Sequence, residues 1–184
     1  MTKMEKAIVF ATKAHAGTCR KGTDRPYILH PIEAMSIVMK FTDDEDLLAA
    51  AVLHDTVEDT GVTLERIEKE FGSRVASLVA SVSKYKNEDL PVDEPWKERK
   101  QATITQLKNA DRDTKLLCLG DKLAYLRDLY MDREEVEDFW ERFSRKDRSM
   151  HAWYYHEICK ILEKEFPLTL EMMEFDGLIG IVFE

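Results

Sequence analysis

The sequence is poor in the residues that mark several protein classes. It has three cysteines among 184 residues, and Cys19, Cys118 and Cys159 are widely spaced and never form a C-x-x-C pair. This pattern indicates neither a disulfide framework nor a thiolate metal site, and a reducing compartment fits it. With seven glycines and five prolines, the chain has no low-complexity stretch and no linker that would separate two domains. We therefore expect a single domain over residues 1–184.

Long apolar runs are absent as well. No stretch approaches the roughly 20 apolar residues that a membrane span needs. The N-terminal segment carries Lys3, Lys6 and Lys13 through its apolar patch, unlike a signal peptide. A formal net charge of −9 would repel a long polyanion. We expect a cytoplasmic protein with neither a membrane nor a nucleic-acid polymer as partner, whereas a small anionic substrate is compatible with a local cluster of Lys and Arg.

The sequence instead shows one helical pattern after another and no convincing alternating strand, which predicts an all-α fold. A first amphipathic helix is stopped by Gly17. Pro31 suits the first turn of a second helix and leaves His30 near its N-cap. The tail, GLIGIVFE, is ambiguous between a short strand and packed coil. Further helices are predicted over residues 47–53, 63–71, 73–82, 96–108, 114–131, 134–145 and 149–166, with a polar loop at residues 84–95.

The third predicted helix leads into an unusual cluster of ionisable residues. Thr42 and Glu45 fit a capping box at its start, and its body, residues 47–53, is apolar on all sides and must be deeply buried. Four ionisable groups follow within six positions: His54, Asp55, Glu58 and Asp59. They form two i, i+4 pairs, which on a continuous helix extend faces that alanines occupy upstream and so point inward.

Buried carboxylates need a compensating cation, and no Lys or Arg occurs between Phe41 and Glu65 to supply one. A metal ion is the natural compensation. His30 offers another imidazole after an apolar lead-in, and Asp121 lies in a leucine-rich helix. Gly120 beside it indicates that something approaches the helix backbone closely. Two imidazoles and two carboxylates make a site with open positions for water or substrate, suited to Mn, Fe or Zn.

Three ordered motifs, HAGTCRKGTDRPYILHP, LHDTVEDT and GDKLAYLRDL, resemble the HD phosphohydrolase superfamily. Within it they are similar to the hydrolase domain of RelA/SpoT-type alarmone enzymes and to the stand-alone small alarmone hydrolases. The likeness covers residues 5–130. It implies an HD-domain helical bundle with a buried metal site, and Mn-dependent removal of the 3′-pyrophosphate from ppGpp and pppGpp, the guanosine alarmones of the stringent response. Nothing in periodicity or composition shows this substrate.

The resemblance also assigns roles to individual residues. Glu58 and Asp59 match the family's acidic pair, which implies that they position or deprotonate the attacking water. One divalent ion, Mn²⁺ with Fe²⁺ or Zn²⁺ as alternatives, is assigned to four ligands: His30, His54, Asp55 and Asp121.

The nucleotide end of the site matches the family less closely. Arg20 and Lys21 match the basic pair with which the family contacts its nucleotide, through stacking or phosphate binding. However, Tyr125 stands where the family commonly has Asn, and Asp24-Arg25 replaces the usual Gly-Glu. These departures leave the metal set intact and leave the identity of the nucleotide open.

Several other residues have a structural explanation beside a functional one. We expect His15 to be a hydrogen-bonded core histidine, and His151 and His156 to be packing or surface residues. The aromatic run at residues 153–155 is expected to pack between helices rather than to line a base pocket. Three cations fit either a solvated face or contacts to substrate phosphates: Lys97, Arg99 and Lys100.

Two further cations lie on the predicted helix that carries Asp121. Lys122 and Arg127 differ from Asp121 in rotation by about 100° and 240°, so neither must share its face. Arg127 is expected to pair with Asp128 or with a neighbouring helix.

Three functions remain open. The leading one is a (p)ppGpp 3′-pyrophosphohydrolase without synthetase activity, which acts on a small nucleotide. The alternatives are an HD-type phosphatase or phosphodiesterase of another nucleotide or phosphorylated metabolite, and a non-catalytic nucleotide-binding sensor. A P-loop, a nucleophile elbow and an H-E-x-x-H motif are all absent. A homo-oligomer is compatible with the sequence.

Overall fold

The computed structural model describes residues 1–83, 96–137, 139–143 and 145–183, so the predicted loop at residues 84–95 lies outside the described residues. Within these ranges the predicted all-α fold is confirmed, and a short 3₁₀ helix, Phe139–Arg142, follows α8. The α-helices are α1 Lys3–Ala14, α2 Leu29–Val38, α3 Glu45–Leu53, α4 Thr56–Asp59, α5 Leu64–Phe71, α6 Ser73–Ser83, α7 Trp96–Asn109, α8 Arg112–Glu135, α9 Arg148–Glu165 and α10 Leu170–Phe183.

Helix α8 is the central element of the fold. Its 24 residues extend over about 36 Å, and it contacts α2, α3, α6, α9 and α10. Burying one leucine side chain contributes roughly 1.5–3 kcal/mol, so this helix anchors the core. Its fully buried leucines recur at helical spacing: Leu116, Leu119, Leu123, Leu126 and Leu129.

Gly120 allows α2 to pack directly against the backbone of α8. A Cβ atom at this position would lie 2.8 Å from the carbonyl oxygen of Ala34 and 2.8 Å from Cγ2 of Val38. Both distances are too short for real atoms, so only glycine fits without a shift of the helices. The close approach expected from the sequence is therefore present, and its partner is α2, the helix that carries His30.

The start of α3 differs from the predicted capping box. Its N-cap is Asp44, whose carboxylate accepts hydrogen bonds from the backbone N–H groups of Asp46 and Leu47, at 2.9 and 3.4 Å. Glu45 is therefore the first helical residue, too early to reach back to the cap. Its carboxylate instead accepts from the backbone N–H of Lys3 on α1. The predicted burial of residues 47–53 is correct throughout.

The predicted continuous helix through the ionisable cluster is also wrong. Helix α3 ends at Leu53, residues 54 and 55 form a turn, and α4 begins at Thr56. The Thr56 hydroxyl donates a 2.7 Å hydrogen bond to the Leu53 carbonyl, which stabilises the turn. His54 and Asp55 consequently point into the interior from a turn, while Asp59 on α4 is exposed.

The C-terminal part departs from prediction in two places. The helix predicted over residues 134–145 is wrong, because Val136 adopts an extended conformation that ends α8. The aromatic rings beyond it pack edge to face around the 3₁₀ helix instead. The ambiguous tail is helix α10, in which Phe175, Ile179 and Val182 are buried at helical spacing. Both α9 and α10 contact α8.

The contact between α2 and α8 generates a test with a matched control. We expect Gly120→Ala to destabilise the protein by about 1–3 kcal/mol, because the added methyl group meets a backbone carbonyl that cannot yield. The roughly 1 kcal/mol gain in helix propensity does not offset this clash. Gly177→Ala places the same group into open space on α10 and should stabilise. Urea unfolding followed by circular dichroism measures both; equal stability of the two variants would contradict the packing argument.

Candidate functional site

Three helical elements bring the predicted metal ligands together. His30 lies in the first turn of α2, His54 and Asp55 form the turn between α3 and α4, and Asp121 lies in the middle of α8. The Nε2 atoms of His30 and His54 lie 3.3 and 3.6 Å from Oδ1 of Asp121. The ligand atoms of these three residues all lie within 4.8 Å of one another. This is the spacing that a single ion requires.

Asp55 contacts the same two imidazoles. Its Oδ2 atom lies 3.5 Å from Nε2 of His30 and 3.1 Å from Nε2 of His54. The same oxygen accepts a 2.7 Å hydrogen bond from the Tyr27 hydroxyl. Asp55 is 1% exposed, so its charge is removed from water and needs a compensating partner.

The orientation of the imidazoles fits a metal ion. Nδ1 of His54 lies 2.7 Å from the carbonyl oxygen of Ala51. A carbonyl only accepts, so Nδ1 carries a proton and Nε2 is the nitrogen available to a metal ion. Burial alone would lower the pKa of His54, but Asp55 and Asp121 raise that pKa to about 10. The carboxylates thus strongly favour a cation at this point, and two nitrogens and two oxygens suit a divalent metal.

Lys122 is a site residue that the helical-wheel analysis misses. Its Nζ atom donates a 2.6 Å hydrogen bond to Oδ2 of Asp121, although the two residues are adjacent on α8. The long side chain curls back across the helix surface, which a rotation angle between Cα positions does not describe. Burial would raise the pKa of Asp121, but Lys122 and the two histidines hold it well below its usual value. The carboxylate is therefore ionised.

A cavity of about 380 Å³ opens beside this cluster. His30, Asp55 and Asp121 lie on its wall. The volume lies within the range that small-molecule sites occupy. Cations and aromatic rings form much of the remaining wall: Arg20, Lys21, Lys100, Lys122, Tyr27, Trp96, Tyr125, Phe143, Tyr154 and Tyr155.

The predicted basic pair lies at this cavity. Arg20 is 8% exposed and forms a 2.8 Å ion pair with Asp128. Its guanidinium carbon lies 5.7 Å from the ring centre of Tyr27 and 5.5 Å from that of Tyr125. Lys21 is exposed and also lines the cavity. The two cations therefore differ in burial, because Arg20 is buried whereas Lys21 is exposed.

The two departures from the family's pattern both have structural consequences. Tyr125 lines the cavity and contacts Arg20 through its ring. Arg25 forms an ion pair with Asp132, a buried carboxylate on α8 that also lines the cavity. This pair fastens the loop between α1 and α2 to α8. Asp24 is exposed.

Glu58 and Asp59, the predicted acidic pair, lie on α4 directly after the turn that carries Asp55. Glu58 is half-buried and Asp59 is exposed. Burial and the carboxylates of Asp55 and Asp59 together raise the pKa of Tyr27, which places Asp59 in the electrostatic environment of the site. Neither Glu58 nor Asp59 belongs to the cavity wall that the described residues form. Their catalytic role stays a prediction.

The histidines outside the cluster are placed partly as expected. His151 is buried, and its Nε2 lies 2.7 Å from the carbonyl oxygen of Arg145, but it also lines the cavity. His156 is partly exposed near Asp176. His15 is buried in the core, yet neither ring nitrogen forms a hydrogen bond within the described residues, so the predicted hydrogen bonding is wrong. Its ring instead packs against Tyr27, at 4.9 Å between centroids.

The remaining ambiguous residues divide between packing and the cavity. Tyr154 and Tyr155 are buried, as the predicted helix packing requires, but they also line the cavity, so the expectation that they serve packing alone is wrong. Lys100 lies on the same wall, with its Nζ atom 4.6 Å from the Tyr154 ring centre. Lys97 is exposed, and its Nζ atom lies 5.5 Å from the ring centre of Trp153.

Arg127 pairs with residues of neighbouring helices, which is one of the two pairings predicted for it. Its guanidinium group contacts Glu33 on α2 at 3.0 Å and Glu174 on α10 at 2.6 Å. Arg127 therefore links α8 to α2 and to α10 outside the cavity.

In the part of the chain that the structure describes, no helix is both long and apolar enough to cross a membrane.

Known proteins resemble this chain in sequence and in structure. Guanosine-3′,5′-bis(diphosphate) 3′-pyrophosphohydrolase MESH1 of Homo sapiens is 39% identical over 127 residues, which cover 67% of this chain and 68% of that protein. The guanosine-3′,5′-bis(diphosphate) 3′-pyrophosphohydrolase of Aquifex aeolicus is 35% identical over 133 residues, 72% of this chain. The match spans only 18% of the Aquifex protein's length.

Solved structures extend the similarity to nearly the whole chain. A protein described as a metazoan orthologue of SpoT that hydrolyses ppGpp and plays a role in starvation responses superposes with a TM-score of 0.77 at 27% identity. The superposition covers 98% of this chain and 95% of that one. A protein of Listeria monocytogenes superposes with a TM-score of 0.69 at 30% identity. Residues 7–144 match the HD domain, and with the cluster of histidines and aspartates described above, the chain belongs to the HD domain family.

Proposed function

We propose that this chain is a metal-dependent hydrolase that removes the 3′-pyrophosphate from ppGpp and pppGpp and leaves GDP or GTP. The observation that carries the proposal is the buried cluster of His30, His54, Asp55 and Asp121 at the wall of a cavity lined by cations and aromatic rings. The guanosine alarmone hydrolases that resemble the chain support the choice of substrate.

The same four residues would hold one divalent ion, for which we propose Mn²⁺, with Fe²⁺ or Zn²⁺ as alternatives that suit the same donors. A bound ion of this kind polarises a phosphoryl oxygen and lowers the pKa of a coordinated water molecule. Lys122 holds the second oxygen of Asp121, so that Oδ1 remains directed at the two imidazoles. The ionised form of Asp121 that a ligand requires is thereby secured.

The cavity wall supplies the contacts that a guanosine polyphosphate needs. Lys21, Lys100 and Lys122 place positive charge along the wall, which attracts phosphate groups. The rings of Tyr27, Tyr125 and Tyr155 add aromatic surface to the wall, which suits the binding of a base. Among the described residues of the wall, the four cations outnumber the three carboxylates, which favours the binding of a small anion in spite of the net charge of −9.

We assign the proton transfer to the acidic pair on α4. Attack of water on the phosphorus breaks the ester bond to the ribose 3′ oxygen, which takes up a proton from the protonated carboxylate or from solvent and leaves as a hydroxyl group. The water must lose a proton in this step, and a carboxylate of Glu58 or Asp59 is the proposed acceptor. Both groups follow Asp55 within one short helix, which favours this role.

A second candidate function is an HD-type phosphatase or phosphodiesterase of another nucleotide or phosphorylated metabolite. It is favoured by Tyr125, whose ring lines the cavity and contacts Arg20 at a position where the family commonly has Asn. A non-catalytic nucleotide sensor would require the same cavity. The intact set of buried carboxylates and histidines speaks against it, because such groups are costly to bury without a use.

We further propose one hydrolase domain over residues 1–184, with a small nucleotide as its partner and the cytoplasm as its location. The three cysteines are free, and Cys118 and Cys159 are buried, which suits a reducing compartment. A homo-oligomer is compatible with this proposal.

The reaction is tested by incubating the Mn²⁺-loaded protein with ppGpp, GTP, GDP and other nucleotides. We expect release of pyrophosphate from ppGpp, with GDP as the second product by chromatography. Asp55→Asn should lower turnover by about 100-fold or more, since it removes a charged donor. Asp113→Asn is the control. It changes a half-buried aspartate in the first turn of α8 that pairs with Arg74 away from the cavity, and it should leave turnover unchanged.

The other outcomes separate the candidate functions. Turnover of other substrates only would favour the second candidate. Tight nucleotide binding without turnover under any of the three metals would favour the sensor. Full activity of Asp55→Asn would contradict the assigned site.

Metal binding is tested independently of the reaction by thermal unfolding. Removal of metal with a chelator should lower the melting temperature, and Mn²⁺ at about 100 times its Kd should restore about 2.7 kcal/mol of stability. His54→Ala should abolish this gain, because it removes a buried donor. His156→Ala removes a histidine on the exposed side of α9 and should retain it. An equal Mn²⁺ shift in both variants would exclude His54 as a ligand.

A further inference from the structure

Asp128 lies on α8 beside the metal cluster but outside it. It follows Asp121 by seven residues, or close to two helical turns, so both side chains project from the same face of the helix. Its Oδ2 atom lies 3.5 Å from Nδ1 of His30 and 2.8 Å from Nη2 of Arg20. One carboxylate oxygen thus faces a proposed metal ligand and a cation of the nucleotide cavity at the same time.

The contact with His30 places a negative charge at the Nδ1 edge of that ring. Nε2 of His30 faces the carboxylates of Asp55 and Asp121, and Nδ1 faces Asp128 on the opposite edge of the ring. When a cation occupies the Nε2 side, the negative charge of Asp128 favours the proton on Nδ1 and stabilises this orientation of the ring. In His54 the corresponding Nδ1 atom contacts a backbone carbonyl, that of Ala51. His30 depends on a side chain, whose position must itself be fixed.

The contact with Arg20 fixes that side chain. The guanidinium group is buried against the rings of Tyr27 and Tyr125, so the carboxylate of Asp128 is held at a defined place. Conversely, Asp128 keeps Arg20 at the cavity wall. Because the two contacts share one oxygen atom, a displacement of either partner changes the electrostatic environment of the other.

We propose that Asp128 is a positioning residue that orients His30 for the metal and Arg20 for the nucleotide, and so couples the binding of the two. The proposal rests on the metal role given to His30 in the proposed function. A bound cation polarises the imidazole and strengthens the interaction of its Nδ1–H group with Asp128. This holds Asp128 and Arg20 in place, so metal and nucleotide should each increase the affinity for the other by the same factor.

The positioning role is tested by titrating Mn²⁺ in competition with a chelator, with no substrate present. Asp128→Asn keeps the size of the side chain but removes its charge, and the affinity for Mn²⁺ should fall about 10- to 100-fold. Glu33→Gln is the matched control. It removes a charge from an ion pair between the same two helices, with Arg127, one turn after His30, and should leave the affinity for Mn²⁺ unchanged.

The stability of the metal-free variants separates positioning from a general structural effect. Both substitutions break one ion pair between α8 and the rest of the protein, so their melting temperatures without metal should fall by similar small amounts. A loss of Mn²⁺ affinity confined to Asp128→Asn supports positioning. Wild-type Mn²⁺ affinity in Asp128→Asn, or an equal loss in Glu33→Gln, would overturn the proposal.

The coupling is tested with GDP, the expected product, as the probe. GDP affinity of the wild-type protein should be higher with saturating Mn²⁺ than without it, and this ratio should fall toward one in Asp128→Asn and in Arg20→Ala. Persistence of the wild-type ratio in Asp128→Asn would refute the coupling.

These binding measurements stay informative whatever the reaction is. A wild-type protein that binds Mn²⁺ and GDP but does not cleave ppGpp would contradict the proposed function alone, and the variants would still decide the role of Asp128. A wild-type protein that binds no metal would overturn both.

Discussion

The close contact of α2 with α8 at Gly120 is the constraint on which the site depends. With the carbonyl of Ala34 and the side chain of Val38 directly above Gly120, α2 lies as near to α8 as two backbones allow. His30, one turn before Ala34, then meets Asp121, the residue after Gly120, at 3.3 Å. A larger residue at position 120 would separate the two helices, and the donors from each would no longer reach a common point.

Around this contact, the charged groups of the site are arranged so that groups of opposite sign lie next to each other. Asp55 and Asp121 face the two imidazoles, Lys122 binds the outer oxygen of Asp121, and Arg20 pairs with Asp128 behind His30. Because each buried carboxylate has a cation or a hydrogen-bond donor beside it, none bears the full cost of desolvation. The same arrangement leaves positive charge on the cavity wall and concentrates negative charge where a metal ion would bind.

The sequence predicted the parts of the site that depend on residue type and order. An apolar segment followed by His54 and Asp55, without a nearby Lys or Arg, indicated a buried cluster. Gly120 indicated a close approach before its partner was known. The prediction failed where local geometry breaks a regular pattern. The turn at residues 54 and 55 interrupts the expected helix, and Asp44 replaces the expected cap because its carboxylate reaches two free N–H groups.

The sequence by itself determined the helical class and the burial of residues 47–53, because these follow from residue chemistry and short-range periodicity. The set of four donors was predicted from motifs that resemble a known family. Only the tertiary structure decided that Lys122 reaches Asp121, that Tyr154, Tyr155 and Lys100 line the cavity, and that Asp128 stands between His30 and Arg20. These contacts join residues whose side chains extend several ångströms from their helices. Their partners are therefore set by how the helices pack, which no spacing along one helix encodes.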